Sequence, residues 1–238
     1  MFIGSDRKLI ESELSLGDVT IRTEPEVELL GVTIDYKLSF DSHIANLALK
    51  AARQLNAVKR VGYFLPQSCR MIIYKSFVLS NFNYCPLVWH FCGNKNTDKL
   101  EKIQKRGLRF VFNDYDSDYE YLLGRAGLDS LYLSRLKVLA SEVYKTLNNQ
   151  GPAYLKEIFK PRTSTYKLRT KEHMALETPT IRTETFGRHS LRTLATEVWD
   201  SIPVEHRRAV TLGEFKGLLN TWLGFQCKCQ MCRFYSNS

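Results

Sequence analysis

The sequence lacks the long apolar run that a membrane-spanning helix requires. No stretch of about 18 uncharged apolar residues occurs in it. Met1-Phe2-Ile3-Gly4 has no basic residues before it and no apolar core after it, so the pattern of a secretory signal is missing. We therefore expect an intracellular protein, in the cytoplasm or the nucleus, that has no membrane partner.

Catalytic motifs are also scarce. The sequence has no Gly-x-Ser-x-Gly nucleophile elbow, no glycine-rich phosphate loop and no Cys–His pair in a recognisable context. Asp114, Asp116 and Asp118 precede a helical pattern, where carboxylates favour the helix N-terminus, whereas nucleic-acid polymerases carry their Mg²⁺-binding aspartates on a strand hairpin. We expect no catalytic residue in this chain and no activity from the chain alone.

Acidic residues are fewer than basic ones. The 25 Asp and Glu stand against 34 Lys and Arg, which gives a formal net charge of +9 and a pI near 9.2. This excess favours a polyanionic partner, because each phosphate that a protein neutralises releases counterions. Composition alone does not decide the matter, since many basic proteins bind no nucleic acid. The 44% hydrophobic and 25% charged residues are typical of a folded globular protein.

The six cysteines fall into two groups. We expect the first group to be buried free thiols: Cys69, Cys85 and Cys92. The second group lies close to the end of the sequence: Cys227, Cys229 and Cys232. Tetrahedral Zn²⁺ requires four ligands, this group supplies three, and His206 is a distant fourth candidate. Zinc binding is therefore the weaker alternative to a loose or partner-ordered tail.

Strand patterns come first in the chain and helical patterns follow. Three short strands are predicted over Met1–Gly4, Asp18–Arg22 and Val27–Ile34. Asp41-Ser42 is predicted to cap the first helix, and Asn96 or Thr97 a later one. The predicted helices include Ile44–Tyr63, Gln67–Asn81, Thr97–Asn113, Ser117–Ala126, Ser130–Asn148 and Leu212–Leu223. The fold class is therefore mainly α with a small β region (α+β).

Several stretches of the sequence resemble non-LTR (LINE-type) retrotransposon reverse transcriptases. Leu30-Gly31-Val32-Thr33-Ile34-Asp35, followed by Leu38-Ser39-Phe40 and His43-Ile44, is similar to the segment where the palm of these polymerases ends and the thumb begins. Tyr84-Cys85-Pro86-Leu87-Val88-Trp89 resembles their Tyr-Cys-x-x-x-Trp stretch. Similar stretches recur at Val143–Leu147 with Gly151–Leu155, and at Trp199–Pro203 before a helix that contains Phe215-Lys216. The resemblance covers nearly the whole chain.

This resemblance implies the C-terminal part of an RNA-directed DNA polymerase, with Met1 an internal methionine of the parent. It implies four regions: the distal edge of the palm over 1–40, a three-helix thumb over 41–114, a helical extension over 115–160, and a basic connector, two helices and the Cys-containing tail over 161–238. The sequence departs from the family by lacking the fingers, the palm aspartates and an endonuclease module. The missing palm and fingers are thus an expected partner, and Mg²⁺ is implied for the parent enzyme only.

A row of cations provides the candidate binding site. Lys99, Lys102, Arg106 and Arg109 are spaced by three, four and three residues, so they align on one face of a helix. Together with Lys50 and Arg53 on the first helix, they are predicted to contact the phosphates of an RNA–DNA template–primer duplex, as the resemblance to a thumb implies. A solvated surface face explains the same spacing equally well.

Two alternatives come from other functional classes. The chain fits a non-enzymatic helical interaction or nucleic-acid-binding protein derived from a decayed or repurposed element copy. An exposed palm edge in such a protein predicts poor solubility or a need for a partner. A metal-dependent enzyme that uses the tail cysteines is the third hypothesis, and it requires bound zinc in elemental analysis.

Overall fold

The computed structural model describes residues 13–162, 175–183, 187–188 and 190–224. The chain divides into two compact units, Met1–Leu131 and Tyr132–Ser238. The described residues form nine α-helices and two antiparallel two-stranded sheets, so the predicted fold class, mainly α with a small β region, is confirmed. No helix in these ranges combines the length and the apolarity that crossing a bilayer requires.

The β region consists of two hairpins. The first pairs β1 (Glu13–Leu16) with β2 (Val19–Arg22), and the second pairs β3 (Glu26–Leu29) with β4 (Val32–Asp35). The strand predicted over Asp18–Arg22 is therefore confirmed to within one residue. β1 was not predicted, and the strand expected over Met1–Gly4 lies outside the described residues.

The single strand predicted over Val27–Ile34 is wrong, because a turn divides it at Leu30-Gly31. Leu30 has φ 49° and Gly31 has φ 76°, and two consecutive positive φ angles are typical of the turn that matches the twist of a two-residue hairpin. Leucine rarely takes this conformation, so the apolar run concealed the turn. The tip is held from outside the hairpin: the Tyr84 hydroxyl donates to the Leu30 carbonyl oxygen at 2.6 Å.

One carboxylate organises the entry into the first helix, α1 (Asp41–Gly62). Asp35 accepts hydrogen bonds from the backbone N–H groups of Lys37, Ser39 and Phe40 at 3.0, 3.1 and 2.6 Å. The residue at the N-cap position is Phe40, with φ 59° and no capping side chain. The predicted Asp41-Ser42 cap is therefore wrong, because Asp35 has already satisfied the backbone that precedes the helix.

Three helical segments form a bundle in the first unit. α1 is followed by α2 (Gln67–Ile73), which continues through a π-helical turn (Tyr74–Val78) and a 3₁₀ turn (Leu79–Asn83), and then by α3 (Asn94–Phe112). These bounds confirm the predicted helices to within a few residues. α3 begins earlier than expected: Gly93 occupies the N-cap position, and Asn96 and Thr97 lie buried inside the first turn.

Close contacts fix the register of this bundle. The Asn96 side chain donates to Asp41 at the N-terminal ends of α3 and α1. At the other ends, a Cβ added at Gly62 would lie 2.4 Å from the Phe110 ring. α1 and α3 are therefore parallel. The core between the helices includes fully buried side chains: Ile44, Leu55, Tyr74, Trp89, Leu100 and Leu108.

α4 (Tyr119–Ala126) completes the first unit. Asp118 caps it by accepting from the Tyr121 N–H at 2.7 Å. The buried Glu101 carboxylate of α3 accepts from the Tyr119 hydroxyl at 2.5 Å and from the Leu131 N–H at 3.2 Å. These bonds attach α4 and the following loop to α3.

The second unit is helical as well. Its helices are α5 (Leu131–Leu147, which begins at the boundary), α6 (Leu155–Ile158), α7 (Leu191–Ser201), α8 (Val204–Arg207) and α9 (Leu212–Leu219). Three aromatic rings pack together in it. The ring centroids of Tyr144 and Phe215 are 4.5 Å apart and the rings are stacked at an interplanar angle of 15°, whereas the Trp199 ring is tilted against Phe215 with centroids 5.7 Å apart. The Tyr144 hydroxyl donates to the Ala209 carbonyl oxygen at 2.8 Å.

Candidate nucleic-acid interface

Helix α3 presents a continuous row of cations. At about 100° per residue, five side chains fall within an arc of about 80°: Lys95, Lys99, Lys102, Arg106 and Arg109. We call this row the α3 basic face. The first four residues are exposed and Arg109 is half-buried, whereas Leu100 and Leu108, on other sides of the helix, have no exposed surface. The helical spacing predicted from the sequence therefore holds for the four α3 residues, which lie together.

Lys95 also belongs to this face, although it was not among the predicted residues. It lies four residues before Lys99, so it continues the same spacing by one turn. The predicted helix began only at Thr97, which left Lys95 outside it. The signal was present in the sequence, but it depended on the position of the helix start.

The charges of the α3 basic face are not neutralised by carboxylates. None of its five residues forms an ion pair within the part of the chain that the structure describes. Helix α3 contains only two acids, Asp98 and Glu101, and Glu101 is buried in its bonds to Tyr119 and Leu131. At 1.5 Å per residue, the face extends over about 21 Å. Asp98 is exposed at the edge of this face, between Lys95 and Lys102, so the surface carries five positive charges beside one negative charge.

Lys59 of α1 extends this surface across the seam between the helices. Gly62 touches Phe110, and Lys59 and Arg106 lie one turn before these two residues on the parallel helices, close enough for their charges to interact. Burial lowers the pKa of Lys59, and the nearby Arg106 charge lowers it further. Lys59 was missed because its proximity to α3 depends on tertiary packing, which no spacing within α1 reveals.

Lys50 and Arg53 lie on other sides of α1. Lys50 is nine residues before Lys59, so the two side chains project in opposite directions from the helix axis, about 180° apart. Arg53 is about 120° from Lys59 and is exposed. The structure thus brings together the four predicted α3 residues, and it does not bring Lys50 or Arg53 to them.

Lys50 instead borders a pocket of about 440 Å³ between the β3–β4 hairpin, α1 and the 3₁₀ turn. His43 and Asn81 also line it. The Thr33 N–H donates to Nδ1 of His43 at 3.3 Å, so the ring keeps its proton on Nε2, and burial lowers the pKa of His43. The pocket has binding groups, but it contains neither a carboxylate pair nor an activated nucleophile.

The aspartates that follow α3 have structural partners. Asp114 accepts from the backbone N–H and the hydroxyl of Ser117 at 3.0 and 2.8 Å, and these bonds lower its pKa. Asp118 caps α4. Within the described ranges, no group of three His, Cys, Asp or Glu is arranged to hold a metal ion. The tail cysteines Cys227, Cys229 and Cys232 lie outside those ranges.

The three earlier cysteines are free thiols, as predicted. Only Cys92 is buried, whereas Cys69 is half-buried and Cys85 is exposed. The prediction of three buried thiols is therefore right for Cys92, only partly right for Cys69 and wrong for Cys85, which lies in a turn with φ 44°.

Comparisons of the chain with protein-family models, with curated proteins and with solved structures give no match.

Proposed function

We propose that this chain is the C-terminal part of a non-LTR retrotransposon reverse transcriptase and that its α3 basic face binds the RNA–DNA template–primer duplex. The observation that carries the proposal is the row of cations on α3, which has no carboxylate partner among the described residues. In the parent enzyme, the missing palm and fingers would supply the Mg²⁺-binding aspartates. The role of this chain is therefore binding rather than chemistry.

Contact between two of the resembling stretches supports this assignment. The Leu30-Gly31 turn belongs to the palm–thumb stretch, and Tyr84 belongs to the Tyr-Cys-x-x-x-Trp stretch. The Tyr84 hydroxyl bonds the Leu30 carbonyl oxygen, and a Cβ at Gly31 would lie 3.8 Å from the Tyr84 ring. Residues that resemble one family at separate places in the sequence thus meet in one structural feature.

The dimensions of the α3 basic face suit a nucleic-acid backbone. One DNA strand carries a phosphate per about 3.4 Å of helix axis, so about 21 Å corresponds to about six phosphates. Five cations of α3 and Lys59 of α1 supply a similar number of charges. Contacts of this kind hold a duplex in register without reading its sequence, as a polymerase requires.

The test removes three exposed charges from α3. The variant K99Q/K102Q/R106Q keeps residues of similar helix propensity, and K50Q/R53Q/K75Q removes the same charge from exposed positions elsewhere in this unit. Affinity for a labelled RNA–DNA duplex is measured by fluorescence anisotropy at several salt concentrations. About 0.9 counterions are released per contact, so the slope of log K against log salt concentration should be about 2.7 less steep for the α3 variant than for wild type. If the two proteins bind equally at 1 M salt, this difference makes the variant bind about 500-fold more weakly at 0.1 M salt.

The control variant should change the slope by less than one. Equal losses in the two variants would mean that only net charge matters, and an unchanged α3 variant would refute the proposal. Circular dichroism of both variants establishes that they are folded.

A second candidate is a non-enzymatic interaction protein, and the β1–β2 hairpin favours it. One face of this hairpin is wholly apolar and exposed, with Leu14, Leu16, Val19 and Ile21 between 49% and 73% accessible. Such a face is typical of an interface. This function would be favoured if the chain forms a complex of higher mass in solution when it is mixed with a protein partner, and if it does not bind the RNA–DNA duplex.

A further inference from the structure

The turn between α1 and α2 exposes two aromatic rings. Tyr63 is 80% and Phe64 is 86% accessible. Their ring centroids are 5.5 Å apart and the rings are perpendicular. A hydrogen bond from the Leu65 N–H to the Gly62 carbonyl oxygen at 3.1 Å closes the turn. Two large aromatic side chains are thus displayed to solvent side by side.

This aromatic tip, Tyr63 and Phe64, lies beside the C-terminal end of the α3 basic face. Gly62, the residue before Tyr63, touches Phe110 of α3. Across the turn, Arg70 of α2 donates to the Phe110 carbonyl oxygen at 3.0 Å. Contacts on both sides of the turn therefore hold it against the end of α3.

Cations surround the aromatic tip. Lys59 and Arg60 precede it in the last turn of α1, and neither forms an ion pair with any residue that the structure describes. The charge of Lys59 interacts with that of Arg106, an exposed member of the α3 basic face. Aromatic rings next to a basic track are the combination with which proteins bind single-stranded nucleic acids: the rings stack on bases and the cations contact phosphates.

We propose that Tyr63 and Phe64 form a stacking site for the unpaired bases of a single-stranded RNA or DNA segment whose phosphates contact Lys59, Arg60 and Arg106. The site rests on the proposed function, because it requires the sugar–phosphate backbone of the nucleic acid to lie along α3. Inside a duplex, the faces of each base are covered by the neighbouring base pairs. The site therefore binds a single-stranded overhang and not the paired part of the nucleic acid. Stacking tolerates any base, since each base has a π-face.

The direction of the cationic row favours a nucleic acid over a lipid bilayer. The α3 basic face extends for about 21 Å away from the tip, and a flexible strand can follow it while one of its bases is stacked at Tyr63. A flat anionic surface that touched the tip would meet only the nearest cations.

The test compares two DNA probes: a duplex that carries a single-stranded overhang with 2-aminopurine, and the same duplex with blunt ends. Wild-type protein should bind the overhang probe more tightly and quench its 2-aminopurine fluorescence. Y63A/F64A should lose about five- to 160-fold in affinity for the overhang probe, the usual effect of losing one stacked base. Its affinity for the blunt probe and its salt slope should not change, because no charge is removed.

Two further variants separate base stacking from simple apolar contact and from a general loss of aromatic surface. Y63L/F64L keeps apolar bulk without a π-face and should behave as the alanine variant does. Y115A/Y121A removes two other exposed rings of the same unit, which are 55% and 58% accessible, and should bind as wild type does. Equal loss in this control would overturn the proposal.

The remaining outcomes are equally decisive. If wild type binds both probes equally, or if Y63A/F64A retains its preference for the overhang, the stacking site is refuted. The proposed function survives that result as long as K99Q/K102Q/R106Q still lowers the salt slope. Sedimentation of wild type, but not of Y63A/F64A, with phosphatidylserine vesicles, without any preference for the overhang, would replace the site with a membrane contact.

Discussion

Substitution of Gly107 by alanine should destabilise the first unit, although alanine is the better helix former. A Cβ at this position would lie 2.2 Å from one atom of the Tyr74 ring and 2.9 Å from two others. Favourable contacts between carbon atoms require about 3.5–4.0 Å. Tyr74 is fully buried, so its ring has no free space into which it could move. Either α2 or α3 must shift.

The expected change in the free energy of unfolding is the sum of two opposing contributions. Replacing glycine by alanine inside a helix gains about 1 kcal/mol. Overpacking of a buried site costs about 1–3 kcal/mol, and three ring atoms within 3.0 Å place this substitution at the upper end of that range. We expect the free energy of unfolding to fall by about 2 kcal/mol.

Urea titration followed by circular dichroism measures this change, and hydrogen exchange of the α3 amides assigns it to the first unit. Gly124 of α4 is the matched control, because a Cβ there would meet no atom within 4 Å. Gly124→Ala should therefore be neutral or stabilising. In a Tyr74→Leu background, Gly107→Ala should cost much less. A Gly107→Ala variant as stable as wild type would refute the packing of Tyr74 on α3.

Three further predictions concern single side chains. Asp35→Ala leaves three N–H groups without their acceptor, Phe40 among them, and should cost about 2–3 kcal/mol of stability in urea titration; a loss below about 0.5 kcal/mol would contradict the role of Asp35 at the start of α1. Because burial lowers the pKa of His43, the unfolded chain binds more protons just below pH 6.5, so stability should fall there as the pH falls. His43→Gln should flatten this part of the stability profile, and an unchanged slope would contradict it. Tyr144→Phe removes the donor to the Ala209 carbonyl and should destabilise the second unit by about 1 kcal/mol, whereas an unchanged melting temperature would show that the bond contributes nothing.

The sequence predicted features that depend on local periodicity. The four α3 cations share a face because the spacing by three and four residues is a property of the helix itself, whatever it packs against. The fold class followed in the same way from apolar spacing. Lys95 was not predicted to belong to the face, because the helix was expected to begin at a polar N-cap residue and Gly93 occupies that position instead.

Turns with unusual backbone angles and contacts between residues far apart in the sequence could not be predicted from the spacing of apolar and charged residues. The Leu30-Gly31 turn requires φ above zero at a leucine, which opposes its usual preference. Asp35 replaces the expected cap because its carboxylate accepts from three following N–H groups. Lys50 shares the first helix with Lys59, and only the packing of α3 decides which of the two lies beside the cationic row.

The pair of Lys59 and Arg106 shows what the proposed binding of phosphates would change in the protein. The Arg106 charge helps to lower the pKa of Lys59, which means that the two cations repel each other in the free protein. The contact of Gly62 with Phe110 fixes the separation of their backbones, so the side chains can relieve this repulsion only in part. A phosphate between them turns the repulsion into two favourable contacts. The glycine that permits close packing of α1 and α3 therefore also brings these two cations together, one turn from the exposed rings of Tyr63 and Phe64.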